Sequence, residues 1–245
     1  MTQEFDAQQD KWIDIALGLD RHGVVLVRRG LDPAMLDRLL TVVRAEYLRR
    51  DGLAATGQLG AAWLDMHLKF RAIAVHEVAV EGVPAVQLLL TPMIQAIATL
   101  LLSKLPGITM SSFRCVQVGA DNLALPYHQD SRIVEAIEPS RGPAPSLVNL
   151  WVPMHDCGLG RPGLEIVNQP VASLVPTVAT AENFYSSIAT EIAPDQITRL
   201  SDATQLWHPA FRAGDFMLFK GTMIHRTYVS SDMTDERISA DIRLL

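Results

Sequence analysis

The side chains with the clearest chemistry lie in two short segments, residues 126–130 and 221–225. His128 and Asp130 are separated by one residue, so both side chains point to the same side of an extended segment. His225 adds a third ligand from a distant strand. Two imidazoles and one carboxylate form a facial set with three open coordination positions, which is the arrangement of Fe(II) sites that activate O2. The sequence therefore predicts a metal centre of His128, Asp130 and His225.

The residues around His225 have the pattern of strands that would position such a centre. Residues 214–219 form a turn that leads into an apolar run, and Gly221 interrupts this run before His225. Residues 237–243 then alternate strictly between apolar and polar side chains, which predicts a half-buried strand. The apolar face of this strand holds Ile238, Ala240 and Ile242, and the polar face holds Arg237, Ser239, Asp241 and Arg243.

The order of these segments resembles the 2-oxoglutarate-dependent Fe(II) dioxygenases, and most closely the phytanoyl-CoA dioxygenase-like branch. The resemblance is carried by residues 125–130, 149–154, 163–167, 214–215, 225–227 and 237–239. These segments run from the middle of the chain to its end in the order of the family. One departure follows residues 164–167, where family members usually continue with a Pro-Gly-Ser-His-like turn and this chain has Asn168, Gln169 and Pro170. That loop borders the pocket in relatives, so the resemblance does not define the substrate.

The resemblance implies Fe(II), 2-oxoglutarate and O2 as cofactor and cosubstrates. The distal carboxylate of 2-oxoglutarate needs a buried cation, and a guanidinium meets a carboxylate with two parallel hydrogen bonds. Arg237 is the predicted anchor because its distance from His225 and its neighbour Ser239 match the family. Arg243 lies on the same polar face and is the rival anchor. The non-functional alternative is that Arg237 forms a surface ion pair with an acidic neighbour, Asp235 or Glu236.

Further residues are assigned by their places on the predicted strands and loops. Ser239 and Thr227 are expected to add hydrogen bonds to the cosubstrate. Gln117 and Asn149 resemble positions that contact the cosubstrate or its waters, although a polar residue that completes a strand-end hydrogen bond is an equal alternative. The substrate-contacting candidates, which are equally consistent with core or surface roles, are Arg132, Trp151, Phe184, Tyr185 and Trp207.

The composition is that of an ordinary globular protein of 245 residues, with 49% hydrophobic and 20% charged residues. A net charge of −6 makes a nucleic acid or an anionic membrane an unfavourable partner. The two cysteines, Cys115 and Cys157, cannot build a disulfide framework. The N-terminus lacks the pattern of a secretory signal, and the longest apolar stretch, residues 88–102, is too short and polar to span a bilayer. We expect a cytoplasmic monomer or homodimer that acts on a small molecule.

Helical patterns precede strand patterns along the chain. Helices are predicted at residues 11–19, from residue 33 onward, at 90–102 and at 182–191, with a loop at 51–62. Strands are predicted at residues 109–118, 147–152, 164–167, 215–219, 226–229 and 237–244. This order predicts one α+β domain. The family resemblance specifies a double-stranded β-helix, a jelly-roll or cupin-like barrel, for residues 108–245. Residues 1–107 would supply mainly helical support, and residues 168–205, together with 51–60, would form a lid over the pocket.

The predicted reaction is the oxidation, by default the hydroxylation, of a substrate C–H bond, with succinate and CO2 as coproducts. Halogenation is disfavoured because family halogenases lack the carboxylate that Asp130 provides. A natural-product intermediate or an amino-acid-like molecule fits better than an acyl-CoA, since no basic cluster for the CoA phosphates is evident. The alternatives are a non-catalytic cupin-like metal- or ligand-binding protein and a barrel isomerase or epimerase that uses His128 as a base.

Overall fold

The computed structural model describes residues 4–119, 124–143, 145–179, 190–200 and 205–245. Its helices are α1 (Trp12–His22), α2 (Pro33–Ala55), α3 (Ala61–Phe70), α4 (Ala85–Leu89), α5 (Pro92–Leu102), α6 (Asp130–Ile137) and α7 (Pro194–Leu200). Its strands are β1 (Glu4–Asp6), β2 (Val24–Arg28), β3 (Ala72–Ala74), β4 (Ala79–Val80), β5 (Val83–Pro84), β6 (Ile108–Val116), β7 (Val148–Pro153), β8 (Gly163–Val167), β9 (Leu206–Trp207), β10 (Phe216–Lys220), β11 (His225–Tyr228) and β12 (Arg237–Leu244).

The N-terminal helices begin and end where local signals place them. The side chain of Asp32 accepts a hydrogen bond from the amide of Ala34 at the start of α2, and Pro33 occupies the first helical position. Helix α1 ends at Gly23, whose φ of 80° lies in the left-handed region that favours glycine. The predicted start of α2 is thus confirmed, and α5 begins at Pro92, two residues after its predicted start.

Two sheets form the C-terminal part of the chain. The large sheet has the strand order β1-β2-β10-β7-β12-β6-β3, and the small sheet has the order β11-β8-β9. The apolar face of β12 packs into the main core together with α1, α2 and α5, as the alternation predicts. The opposite face of the large sheet meets the small sheet through a second apolar cluster that includes Met217, Phe219, Leu164 and Ile166. The mixed α+β class is confirmed.

The predicted loop at residues 51–62 is wrong over most of its length. Helix α2 continues to Ala55 and α3 begins at Ala61, so the connection is only residues 56–60. Tertiary contacts outweigh the cost of Gly52 inside the helix. Arg50 is buried between Glu46 and Glu77, and Asp51 accepts hydrogen bonds from α3 and from Arg71, which follows it.

The N-terminal part also contributes strands to the large sheet, which the expectation of mainly helical support understates. Strand β2 lies between β1 and β10, and β3 forms the other edge beside β6. The run Val24–Val27 is buried on both faces, as a central strand requires. The helix predicted at residues 182–191 falls almost entirely outside the described residues. No described helix is long and apolar enough to cross a membrane.

Candidate functional site

The two histidines of the predicted set lie on neighbouring backbone segments. His128 and His225 form an isolated antiparallel bridge beside the small sheet, and their ring centroids are 4.2 Å apart. The Nδ1 atom of His128 is 2.7 Å from the carbonyl oxygen of Pro126, and that of His225 is 3.0 Å from the carbonyl of Met223. Each Nδ1 therefore carries the proton and donates it, which leaves both Nε2 lone pairs available to a metal.

Asp130 completes the set from the first turn of α6. Its Oδ2 lies 3.6 Å from His225 Nε2 and its Oδ1 lies 3.9 Å from His128 Nε2. The three potential ligand atoms lie within 4.8 Å of one another, and all three residues are buried. Bonds of about 2 Å to one central ion fit this spacing after a small contraction. The predicted metal ligands are thus brought to one point.

The protonation states at this point are those that metal ligation needs. Burial, followed by the charge of His225, lowers the pKa of His128 to about 3. Burial by itself raises the pKa of Asp130, but the Arg243 guanidinium and the two histidines outweigh it and bring the value to about 2. His128 is therefore neutral and Asp130 ionised near neutral pH, so a divalent cation suits the donor set.

A cavity next to the three ligands extends between the two sheets. It is partly open to solvent, and its lining includes all three ligand residues. Arg237 lies in its wall and is 2% exposed, with its guanidinium 5.3 Å from the ring centre of Trp151. Its Nη1 donates to the carbonyl of Gly163, while its Nε has no hydrogen-bond partner among the described residues. Burial lowers the pKa of Arg237, and the nearby charge of Asp241 opposes this shift. No carboxylate of the described residues forms a salt bridge with this buried cation, so an anionic ligand would stabilise it.

The non-functional alternative for Arg237, a surface ion pair with Asp235 or Glu236, is wrong. Asp235 pairs with Arg161 at 3.1 Å, and Glu236 pairs with Arg44 at 3.6 Å. Asp235 is exposed and Glu236 is half-buried, whereas Arg237, the first residue of β12, is buried. The rival anchor Arg243 is occupied elsewhere, since its Nη2 donates to Asp130 at 2.6 Å and its Nη1 to the carbonyl of Met110 at 2.7 Å.

The remaining cosubstrate candidates differ in position. Thr227 lines the cavity, and its Oγ accepts a hydrogen bond from the amide of Leu125. Asn149 also lines the cavity and is buried, with neither side-chain polar atom paired in the described structure. Ser239 is fully buried beside Arg237 on β12, and its hydroxyl is likewise unpaired among described groups. The unpaired amide of Asn149 fits a polar ligand bound against this wall, whereas Ser239 is not among the described lining residues.

Gln117 does not contribute to the cavity lining, and the strand predicted to carry it ends one residue earlier. Val116 pairs with Arg237, the first residue of β12. Beyond this pair the partner strand has not yet begun, so Gln117 leaves the sheet and its side chain is exposed. The described structure therefore gives Gln117 no contact with the site.

The substrate candidates are divided in the same way. Trp151 lines the cavity and packs against Phe211, with ring centres 4.7 Å apart. Arg132 is directed to Glu135 on the same helix at 2.9 Å and is not part of the described lining. Trp207 is half-buried on β9, where it packs on the apolar cluster between the sheets. Phe184 and Tyr185 lie outside the described residues.

The predicted lid segments do not line the cavity in the part of the chain that the structure describes. Residues 51–60 belong mostly to α2 and the turn after it. In the other segment, Val175, Ile192 and Ile197 pack against Tyr127 and Ile224, the residues that precede the two histidine ligands. The described part of residues 168–205 therefore supports the residues next to the two histidine ligands and does not cover the cavity.

Sequence reasoning missed several residues that shape the site. Arg114, Asp241 and Phe219 line the cavity, and burial raises the pKa of Asp241. The alternation of β12 already placed Asp241 on the polar face, whereas nothing in the pattern of β6 distinguished Arg114. Glu165 was also missed, although it lies in a segment that carries the family resemblance. Its carboxylate accepts hydrogen bonds from Tyr127 and from Arg226, which flank the two histidine ligands.

Comparison with known proteins gives a family and a fold. The sequence profile of the family described as Phytanoyl-CoA dioxygenase (PhyH) matches residues 19–232. No curated protein matches the sequence at a significant level.

Among solved structures, the apo form of ThoJ, a non-haem monooxygenase, is 17% identical with a TM-score of 0.66, over 95% of this chain and 77% of ThoJ. EctD from S. alaskensis with 2-oxoglutarate and 5-hydroxyectoine is 15% identical with a TM-score of 0.62, over 96% and 77%. The epimerase SnoN with Fe3+, alpha ketoglutarate and nogalamycin RO is 17% identical with a TM-score of 0.58, over 96% and 83%. At these identities the likeness establishes the fold.

Proposed function

The chain belongs to the phytanoyl-CoA dioxygenase family of 2-oxoglutarate-dependent non-haem iron enzymes, and from this premise we propose that it hydroxylates a C–H bond of a small molecule. The observation that carries the proposal is the convergence of His128, Asp130 and His225 beside a cavity whose wall holds the buried cation Arg237, which forms no salt bridge with a described residue. Succinate and CO2 are the coproducts in this proposal.

His128 and His225 would hold Fe(II) through their Nε2 atoms, and Asp130 through its carboxylate. Bound iron supplies the coupling of 2-oxoglutarate decarboxylation to oxidation of the substrate C–H bond. The protein contributes orientation of the reactants and exclusion of water. His128 and His225 keep their Nε2 atoms directed at the metal because their Nδ1 protons are held by backbone carbonyls.

Arg237 would bind the distal carboxylate of 2-oxoglutarate. Its guanidinium is immobilised by Trp151 and by the carbonyl of Gly163, so little side-chain entropy remains to be lost on binding. The unpaired groups of Ser239 and Asn149 provide further hydrogen bonds to the cosubstrate. A dicarboxylate in this position would give each of these buried groups a partner.

The two sheets are proposed to form a double-stranded β-helix. The support for this topology is that the cavity takes its lining from both sheets, with Asn149 and Asp241 on the large one and Leu164 and Thr227 on the small one. We assign a natural-product intermediate or an amino-acid-like molecule as the substrate, and a cytoplasmic monomer or homodimer as the working form. The rest of the predicted lid, residues 180–189 and 201–204, lies outside the described residues.

The rival functions make different demands on His128. A base-catalysed epimerase needs an imidazole that accepts a proton near neutral pH, but the pKa of His128 is lowered to about 3 by burial and by His225. Its Nε2 also lies 3.9 Å from Asp130 Oδ1, within the metal-ligand set. An iron-dependent epimerisation, which the complex of the epimerase SnoN with Fe3+ suggests for that protein, would use the same metal centre as the proposed hydroxylation.

The test is 2-oxoglutarate turnover. Purified protein with Fe(II) and ascorbate should form succinate from 2-oxoglutarate, slowly without substrate and faster when a substrate is added. Asp130→Ala should abolish succinate formation, whereas Arg132→Ala, outside the described cavity lining, should retain it. Metal binding without any succinate formation would favour the non-catalytic binding protein. A stereochemically inverted product without incorporated oxygen would favour epimerisation.

A further inference from the structure

One hydrogen bond links the metal ligand Asp130 to a residue that the proposed chemistry does not use. Arg243 is 8% exposed, and its Nη2 lies 2.6 Å from Asp130 Oδ1. Among the described residues, Arg243 is the sole hydrogen-bond donor to this carboxylate. The two histidines are oriented by backbone carbonyls, but Asp130 depends on a side chain from the far end of β12.

The guanidinium of Arg243 is itself fixed by an irregularity in β6. Asp241 lies opposite Ser112, but Arg243 lies opposite Thr109, so β6 carries one extra residue at this point. This β-bulge contains Met110, whose φ of 44° is in the left-handed region that non-glycine residues rarely adopt. The carbonyl of Met110 accepts the second Arg243 hydrogen bond at 2.7 Å. Bulges commonly re-aim groups next to active sites, and strained residues persist where the surrounding structure enforces them.

We propose that Arg243 is a positioning residue for iron: the Met110 bulge holds its guanidinium so that it binds one oxygen of Asp130 and turns the other toward the metal. This inference rests on the proposed metal site. The 3.6 Å distance from Asp130 Oδ2 to His225 Nε2 agrees with Oδ2 as the ligating atom. Both terminal nitrogens of Arg243 donate hydrogen bonds, one to Met110 and one to Asp130. The two buried arginines of β12 therefore have different roles. Arg243 acts on the metal ligand and Arg237 acts on the cosubstrate.

The test measures metal affinity without 2-oxoglutarate. Metal-free wild type, Arg243→Lys, Arg243→Met and Arg237→Lys are titrated with Co(II), and with Fe(II) under anaerobic conditions. Removing a partner that orients a metal ligand typically weakens binding about 10- to 100-fold, and both Arg243 variants should show such a loss together with a changed Co(II) absorption spectrum. Arg237→Lys, the matched change on the same face of β12, should bind metal about as tightly as wild type but bind 2-oxoglutarate more weakly.

Arg243→Lys keeps the positive charge, so any repulsion between this residue and the metal cation is retained. A change in metal affinity in this variant therefore reports the orientation of Asp130. Tighter metal binding by Arg243→Met, or unchanged binding by both Arg243 variants, would overturn the proposal. A second comparison uses Asp130→Ala as the background. There, Arg243→Met should cause no further loss, since the proposed effect passes through the carboxylate, and an equal further loss would contradict it.

The outcomes also separate this inference from the proposed function. If wild type binds no divalent metal at this site, the proposed function fails. If wild type binds metal and both Arg243 variants bind it equally well, only the role of Arg243 fails. Thermal unfolding of the metal-free variants identifies any that do not fold. Should Arg243→Met be one of them, the charge-retaining Arg243→Lys decides the result.

Discussion

His128 and His225 lie directly opposite each other and exchange both of their backbone hydrogen bonds, at 3.0 and 3.1 Å. Their main-chain atoms therefore hold the two segments together whatever the side chains are. The side chains stand on the same side of this pair, where the imidazoles face Asp130. The position of the metal site is consequently set largely by the backbone, and the Nε2 atoms of the imidazoles are available for ligation.

Because the backbone hydrogen bonds do not depend on the imidazole, His225→Ala should affect metal binding much more than folding. The metal-free variant should unfold at nearly the temperature of metal-free wild type, because the backbone pair remains. Wild type should gain about 2.7 kcal/mol in free energy of unfolding when Co(II) is present at 100 times its dissociation constant, and His225→Ala should gain almost nothing. His208→Ala is the matched control, since His208 is half-exposed, stacks on Tyr228 and does not belong to the ligand set. A variant that unfolds far below wild type without metal would contradict the backbone argument.

The sequence predicted the parts of the site that follow from strand periodicity. His128 and Asp130 share a side because the segment between them is extended, and Arg237 points inward because β12 alternates. Periodicity places Arg243 on the same face but does not say what it contacts. The Met110 bulge shifts the register between β6 and β12 at this point. Residues 108–112 include no glycine or asparagine that would predict a left-handed conformation.

The misassigned elements also have physical causes. Gly52 and Gly57 made residues 51–62 resemble a loop, yet the ion pairs of Arg50 and Asp51 keep α2 helical through Gly52. Gln117 was placed on a strand because the apolar pattern of β6 runs on to Val118, whereas the pairing stops where β12 starts. Both errors arise from long-range partners, which local patterns do not contain.

Asn149→Leu should separate stability from function. In the metal-free protein the side-chain amide is buried without a described partner, and an unsatisfied buried polar group costs about 1–3 kcal/mol. The apolar side chain of similar size should therefore raise the free energy of unfolding, as measured by denaturant titration. The same change should raise the KM for 2-oxoglutarate if Asn149 binds it. A loss of stability with an unchanged KM would mean that Asn149 is a structural residue whose partner is ordered water.

Asp51 gives a pH-dependent prediction for the α2–α3 connection. Hydrogen bonds from Arg71, and then from His67, lower the pKa of Asp51 below its usual 3.8. Its contribution to stability is therefore fully present above about pH 4 and is lost as the pH falls through the lowered folded-state pKa. Because the side chain is 44% exposed, the contribution should stay below about 1 kcal/mol. Asp51→Asn should be less stable than wild type at pH 7, and the two unfolding curves should converge near pH 2. A difference that persists at pH 2 would contradict the carboxylate as its source.

Gln129 should control the segment that follows β8. Its side chain is fully buried, and Nε2 donates to the carbonyls of Ser173 at 3.0 Å and Thr222 at 2.6 Å. Its Oε1 accepts from the amide of Val175 at 2.8 Å. Gln129→Leu removes all three bonds while filling similar space, so the Val175 amide should exchange with deuterium at least about tenfold faster, as expected for the loss of about 1.4 kcal/mol of local protection.

The matched control for this exchange experiment is Gln169→Leu. Gln169 lies in the same segment, but its side chain donates to the carbonyl of Leu200 instead. This variant should loosen the end of α7 and leave the Val175 amide protected. If Gln129→Leu leaves exchange at Val175 unchanged, the segment is held by the packing of Val175 against Ile192 and Ile197 rather than by the residue between the two metal ligands.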